Sequence, residues 1–251
     1  MSNKNWFDSK GQEYANFRPG YPDELIKWVA NKAQQHGLVW DCATGNGQAA
    51  CALAMYFDKV IATDSAESQL QAAVSHPQVD YRVATAQHSG LDSDSVDCVT
   101  VAQAMHWFAN DVFFDEVKRV AKSGASMAAW CYTTPVLSDE ALNKVWQQCY
   151  TEYLHPYFNF GREYVEKSYS NIPFPFAKQQ SRTFRQAYRW SVARFMDYLK
   201  TLSAAKKYMS QFSIDLVDEK IKPRLLSVFP DIEKEIDVYF DMTVRQGVVE
   251  K

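Results

Sequence analysis

Through residue 132 the chain alternates between short apolar runs and segments with helical spacing. The apolar runs lie at 38–41, Lys59–Asp64, Val79–Val83, 96–101 and 125–132, and most are rich in Val and Ile, as buried strands are. Helical segments fill the gaps. Pro22-Asp23-Glu24 puts proline and two acids in a first turn and leads into Leu25, Ile26, Trp28 and Val29, with His36-Gly37 closing the segment. Small residues from Gln48 onward predict a second helix. A third is expected after Asp64, with Ser65 as its cap and Glu67 in its first turn, and a fourth over 111–121. After Thr134-Pro135 the alternation stops. Leu142, Val145, Trp146 and Cys149 fall at helical spacing within 138–156, and Asn171-Ile-Pro-Phe-Pro-Phe breaks the chain. A strand is then expected at 181–190, helices at about 191–203 and 215–228, and a last strand at 237–244.

The most informative punctuation follows the first strand. Val39-Trp40-Asp41 runs into Cys42-Ala43-Thr44-Gly45-Asn46-Gly47, a turn whose two glycines permit backbone angles and close approaches that side chains forbid. The second strand ends in Asp64, 19 residues after Gly45. In a strand–turn–helix–strand unit, an acid there can accept hydrogen bonds from both hydroxyls of a ribose, so the pattern predicts a nucleoside site. Gly45-Asn-Gly47-Gln-Ala-Ala50 also fits the dinucleotide fingerprint, which leaves the kind of nucleoside open.

Composition narrows the classes. The 251 residues, 47% of them hydrophobic, can bury one sizeable core, and residues 1–251 are expected to form a single domain. A net charge of −3 and an isoelectric point near 6 give no general pull toward nucleic acid. No apolar run is long enough for a membrane span, and Met-Ser-Asn-Lys-Asn-Trp-Phe-Asp lacks the apolar centre of a secretory signal. The five cysteines show no metal-ligand spacing, so reduced thiols in a cytoplasmic protein without a metal site are expected.

Three stretches together carry a family resemblance. The run from Asp41 to Gly47 resembles the Asp-x-Gly-x-Gly-x-Gly motif of class I S-adenosylmethionine-dependent methyltransferases, with Ala43 in place of the first glycine. Tyr14-Ala-Asn-Phe-Arg18-Pro-Gly-Tyr21-Pro and Gln103-Ala-Met-His106-Trp107-Phe108 resemble segments of the trans-aconitate methyltransferase-like group (methyltransferase type 11). The resemblance implies a Rossmann-like α/β fold: a seven-stranded, mostly parallel sheet with the last strand antiparallel. Cap helices would lie within about 135–230, and residues 6–22 would close over the site. It further implies S-adenosylmethionine as cofactor, held by Arg18, Asp41, Ala43, Gly45, Gly47, Asp64, Thr85, Ala86, Gln103 and Trp107. Tyr14, Tyr21 and His106 would stand at the chemistry, and the acceptor would be a small molecule, possible acids being met by an arginine fork among Arg162, Arg182, Arg185 and Arg189. Thr85 and Gln87 stand where many relatives carry acids. Two other readings compete: an NAD(P)-dependent oxidoreductase, which would lack a Tyr-x-x-x-Lys pair after the fourth strand, and a non-catalytic nucleoside-binding protein.

Overall fold

In the computed structural model, residues 18–159 and 161–251 are described. Strand β1 (Leu38–Cys42) sits between β2 (Lys59–Asp64) and β4 (Val96–Ala102), parallel to both. β3 (Val79–Val83) adds outside β2, and β5 (Ala121–Tyr132) outside β4. The strand order therefore reverses between β1 and β4, and in such sheets ligands bind beyond the carboxyl ends of the strands at the reversal.

Beyond β5 the sheet turns antiparallel. β8 (Glu235–Val248) runs against β5 and against the two-residue β6 (Val136–Leu137). β7 (Ala177–Ser191) pairs with β8 along nearly its whole length. Val238 and Tyr239 pair with both β6 and β7, so those two strands occupy opposite edges of β8. The sheet has eight strands. The expected seven omit β6, whose two residues carry no alternating pattern.

Alternation along the strands feeds two apolar layers. Ala128, Trp130 and Tyr132 of β5 face one core, with Val238, Phe240 and Met242 of β8. That layer is covered by α1 (Asp23–Ala30), α2 (Gln48–Leu53), α5 (Glu140–Cys149), α7 (Val192–Lys200) and α9 (Lys222–Val228). Met127, Ala129 and Cys131 face the other core, where α4 (Asp111–Val120) contributes Phe113, Phe114 and Val117.

Several expected boundaries move. The helix after Asp64 is short, α3 (Glu67–Gln71), and Ser65 does not cap it. Ala66 holds the cap position, and its N–H donates to Asp64 Oδ1 at 2.9 Å. The 138–156 helix is α5 followed by wider turns over Tyr150–Leu154 and tighter ones over His155–Tyr157. A short α6 (Arg162–Glu166) follows. Helix α8 (Ser203–Phe212) was not expected; Ala204 and Ala205 on it are buried, and Tyr208 packs against the core and on the Tyr157 ring. Among the described residues no helix is long and apolar enough to cross a membrane.

Candidate active site

The turn after β1 is built on left-handed backbone. Ala43, Gly45 and Gly47 have φ of 56°, 58° and 83°, so three of five consecutive residues occupy the region that favours glycine. Beneath it Asp41 is fully buried, accepting hydrogen bonds from the hydroxyls of Thr44 (2.6 Å) and Thr100 (2.7 Å). Burial outweighs those bonds and lifts its carboxyl from 3.8 to about 6. Asp64 ties the turn to β2: Oδ2 accepts from Gly45 N–H and Oδ1 from Ala66 N–H, each at 2.9 Å. A carboxylate oxygen can accept about two hydrogen bonds, so each oxygen keeps capacity toward a ligand.

A cavity of about 260 Å³ opens beside this turn. Of the residues expected at the cofactor or the chemistry, Arg18, Tyr21, Ala43, Gly45, Asp64, Gln103 and Trp107 line it. Arg18 Nη2 donates to the Thr201 carbonyl at 3.2 Å, and Nη1 lies 3.4 Å from the Tyr132 hydroxyl. Gly20 N–H donates to the Tyr188 hydroxyl at 2.7 Å, and the Tyr21 ring meets Trp130 edge-on at 5.5 Å. Gln103 follows β4 with φ of 57°, its N–H donating to the Trp130 carbonyl at 2.8 Å.

Other expected residues lie off the described lining. Asp41 is sealed under the turn. Gly47 packs closely on Tyr81: a Cβ there would fall 2.1 Å from the Tyr81 hydroxyl oxygen. Thr85 bridges to His88 in a tight turn, and Ala86 packs on the core that α4 covers. His106 is not part of that lining; its Nδ1 lies 3.0 Å from the Tyr169 hydroxyl. Burial and then the nearby Arg162 charge push its pKa from 6.5 down to about 4, so it is neutral near pH 7 and a weak base. Tyr14 lies outside the described residues. Tyr132, Gln48 and Gln69 line the cavity without having been expected there. Tyr132 ends a strand on the carboxyl side of the sheet, which was a usable signal; the two glutamines had none.

Of the four cap arginines, three lie on β7 and are spent at its surface. Arg185 forms a two-pronged pair with Asp241 (2.7 and 2.8 Å), Arg189 meets Glu235 and Asp237, and Arg182 lies over the Phe184 ring. Arg162 instead points inward and is 20% exposed. Its Nε donates to the Tyr150 hydroxyl at 2.9 Å, Nη2 to Thr134 Oγ1 at 3.3 Å, and its guanidinium lies 4.4 Å from the Phe158 ring centre. Glu166 accepts from Tyr150 and lies 3.5 Å from Arg162. Among the described residues no cluster of three or more His, Cys, Asp or Glu could hold a metal ion.

Comparison with known proteins agrees with this geometry. A family model described as a methyltransferase domain matches residues 40–129, the span from β1 into β5. A Dictyostelium discoideum protein named as a methyltransferase is 31% identical over 93% of this chain and 91% of its own. A yeast protein named as an S-adenosylmethionine-dependent methyltransferase is 28% identical over 66% of this chain and 60% of its own. A solved structure described as a type II methyltransferase from Anaeromyxobacter dehalogenans superposes with a TM-score of 0.85 at 35% identity, covering 93% of this chain and 99% of that one. With the strand order, the glycine turn and an acid at the end of β2 all in place, the chain belongs to the class I S-adenosylmethionine-dependent methyltransferases.

Proposed function

We propose that the cavity seats S-adenosylmethionine and that the methyl acceptor is a small organic acid, methylated on a carboxylate oxygen. The spare acceptor capacity on both oxygens of Asp64 suits the two ribose hydroxyls. Ala102, Ala104 and Phe108 give the cavity an apolar wall for the base, and Arg18 offers a guanidinium to the carboxylate of the methionine end. When bound, the cofactor supplies an electrophilic methyl on a sulfonium. The protein's part is to hold an acceptor in line with it, and positioning of that kind supplies much of the rate. Arg18 and Tyr21, at the described end of the 6–22 segment, edge the cavity, which supports that segment as a closing element of one domain.

Arg162 is the observation that carries the acid reading. It is the one arginine of the four turned into the cap, just beyond the carboxyl end of β5. A guanidinium fixed by Tyr150, Thr134 and Glu166 keeps a preset face for a carboxylate. The state of His106 fits as well: a carboxylate nucleophile asks no side chain for proton transfer, and His106 is neutral and bonded to Tyr169.

Incubation with methyl-labelled S-adenosylmethionine and a panel of small acids, phenols, amines and RNA tests the assignment. Label should enter acids as base-labile esters. In Arg162→Met the acceptor KM should rise about tenfold, with S-adenosylhomocysteine affinity held. Transfer confined to amines or RNA would overturn the acid reading and leave the methyltransferase assignment intact.

A further inference from the structure

Between α6 and the proline-rich run, the backbone passes through two consecutive left-handed residues that are not glycine, Ser168 (φ 50°) and Tyr169 (φ 61°). Such conformations persist only where surrounding contacts over-determine them. Those contacts are present. Arg245, reaching from β8, donates through Nη1 to the carbonyls of both Tyr169 and Ile172, the latter at 2.7 Å. Tyr169 N–H donates to the Tyr164 carbonyl at 2.7 Å. The result is a fully buried tyrosine whose hydroxyl meets His106 Nδ1 at 3.0 Å and faces the backbone N–H groups of Met105 and His106.

His106 stands in the single turn Met105–Trp107. Its other side is closed by Gly161, where a Cβ would lie 3.3 Å from the imidazole Cδ2 and from the His106 carbonyl. His106 Nδ1 and the Tyr169 hydroxyl share a hydrogen bond at 3.0 Å, and the imidazole is neutral near pH 7. The Trp107 ring leans on this imidazole, centroids 4.8 Å apart, while 44% of Trp107 stays exposed at the cavity. The ring that walls the cavity therefore takes its support from His106, and His106 takes its orientation from Tyr169.

We propose that Tyr169 is a positioning residue of the cofactor site: its hydroxyl fixes the His106 turn and thereby the Trp107 wall. The proposal rests on the cofactor lying in this cavity. Its test is a double-mutant cycle on S-adenosylhomocysteine affinity, measured by calorimetry. Tyr169→Phe removes one oxygen and should weaken binding about fivefold, and Trp107→Ala should weaken it at least as much. Because the first acts through the second, the double variant should bind no more weakly than Trp107→Ala alone. A merely structural Tyr169 would give additive losses, and that result, or unchanged affinity in Tyr169→Phe, would overturn the proposal. If Tyr169→Phe does not fold, His106→Ala takes its place in the cycle with the same two readings. Full affinity in Asp64→Ala would instead overturn the placement of the cofactor, and the proposal with it.

Discussion

The turn at 43–47 and the turn at 168–172 both run through left-handed backbone, and they are held in opposite ways. The turn at 43–47 uses glycine at two of its three left-handed positions and takes its bonds from nearby chain: Thr44 to Asp41, Gly47 N–H to the Thr44 carbonyl, Gly45 N–H to Asp64. The turn at 168–172 uses no glycine and is pinned by Arg245, 76 residues from Tyr169 and 73 from Ile172. The first draws its bonds from within one strand–helix–strand unit. The second depends on β8 being in place, so its geometry is a product of the finished sheet. Both deliver groups to one cavity, the first Gly45 and Ala43, the second Trp107 by way of His106.

The largest effect should come from filling the first turn. In Gly47→Ala the new methyl meets Tyr81 at 2.1 Å and the backbone stays at φ 83°, so overpacking and left-handed strain add. We expect a loss of about 3 kcal/mol in urea unfolding, recovered in part by Tyr81→Leu. A wild-type midpoint would mean that Tyr81 does not occupy that space.

Breaking the second turn should cost somewhat less. Arg245→Met strips the carbonyls of Tyr169 and Ile172 of a shared donor, a loss of about 2 kcal/mol for buried acceptors. The same variant should raise hydrogen exchange at 168–172 while leaving 43–47 protected. Equal exchange in both turns would show that they are coupled and would remove the contrast between them.

The smallest effects should have the opposite sign. Ala43→Gly and Ser168→Gly each place glycine where φ is 56° or 50°, and relief of strain should stabilise the fold by up to about 1 kcal/mol apiece. Destabilisation in either would mean that the side chain's packing outweighs the strain.

The same contrast explains what could be read from the amino-acid order. Gly45 and Asp64 were legible because a turn and an acid 19 residues on are local features of one strand–helix–strand unit. Gly47 was legible as a glycine but not for its reason, since Tyr81 arrives from β3 and nothing near Gly47 announces it. His106 was placed at the chemistry by the resemblance of the run from Gln103 to Phe108, and that run says nothing of Tyr169, 63 residues away, whose hydroxyl meets its Nδ1. Arg162 could not be separated from Arg182, Arg185 and Arg189 by type. Only the fold shows that Asp241, Glu235 and Asp237 stand across from two of them on β8.

The central claim is that Asp64 holds the cofactor's ribose at the end of β2, and calorimetry with S-adenosylhomocysteine tests it most directly. Wild-type protein should bind, and folded Asp64→Ala should bind more weakly by about 1–3 kcal/mol, roughly 5- to 150-fold, because two ligand hydroxyls lose their acceptor. Equal affinities in the two proteins would contradict the account and move the cofactor away from this carboxylate.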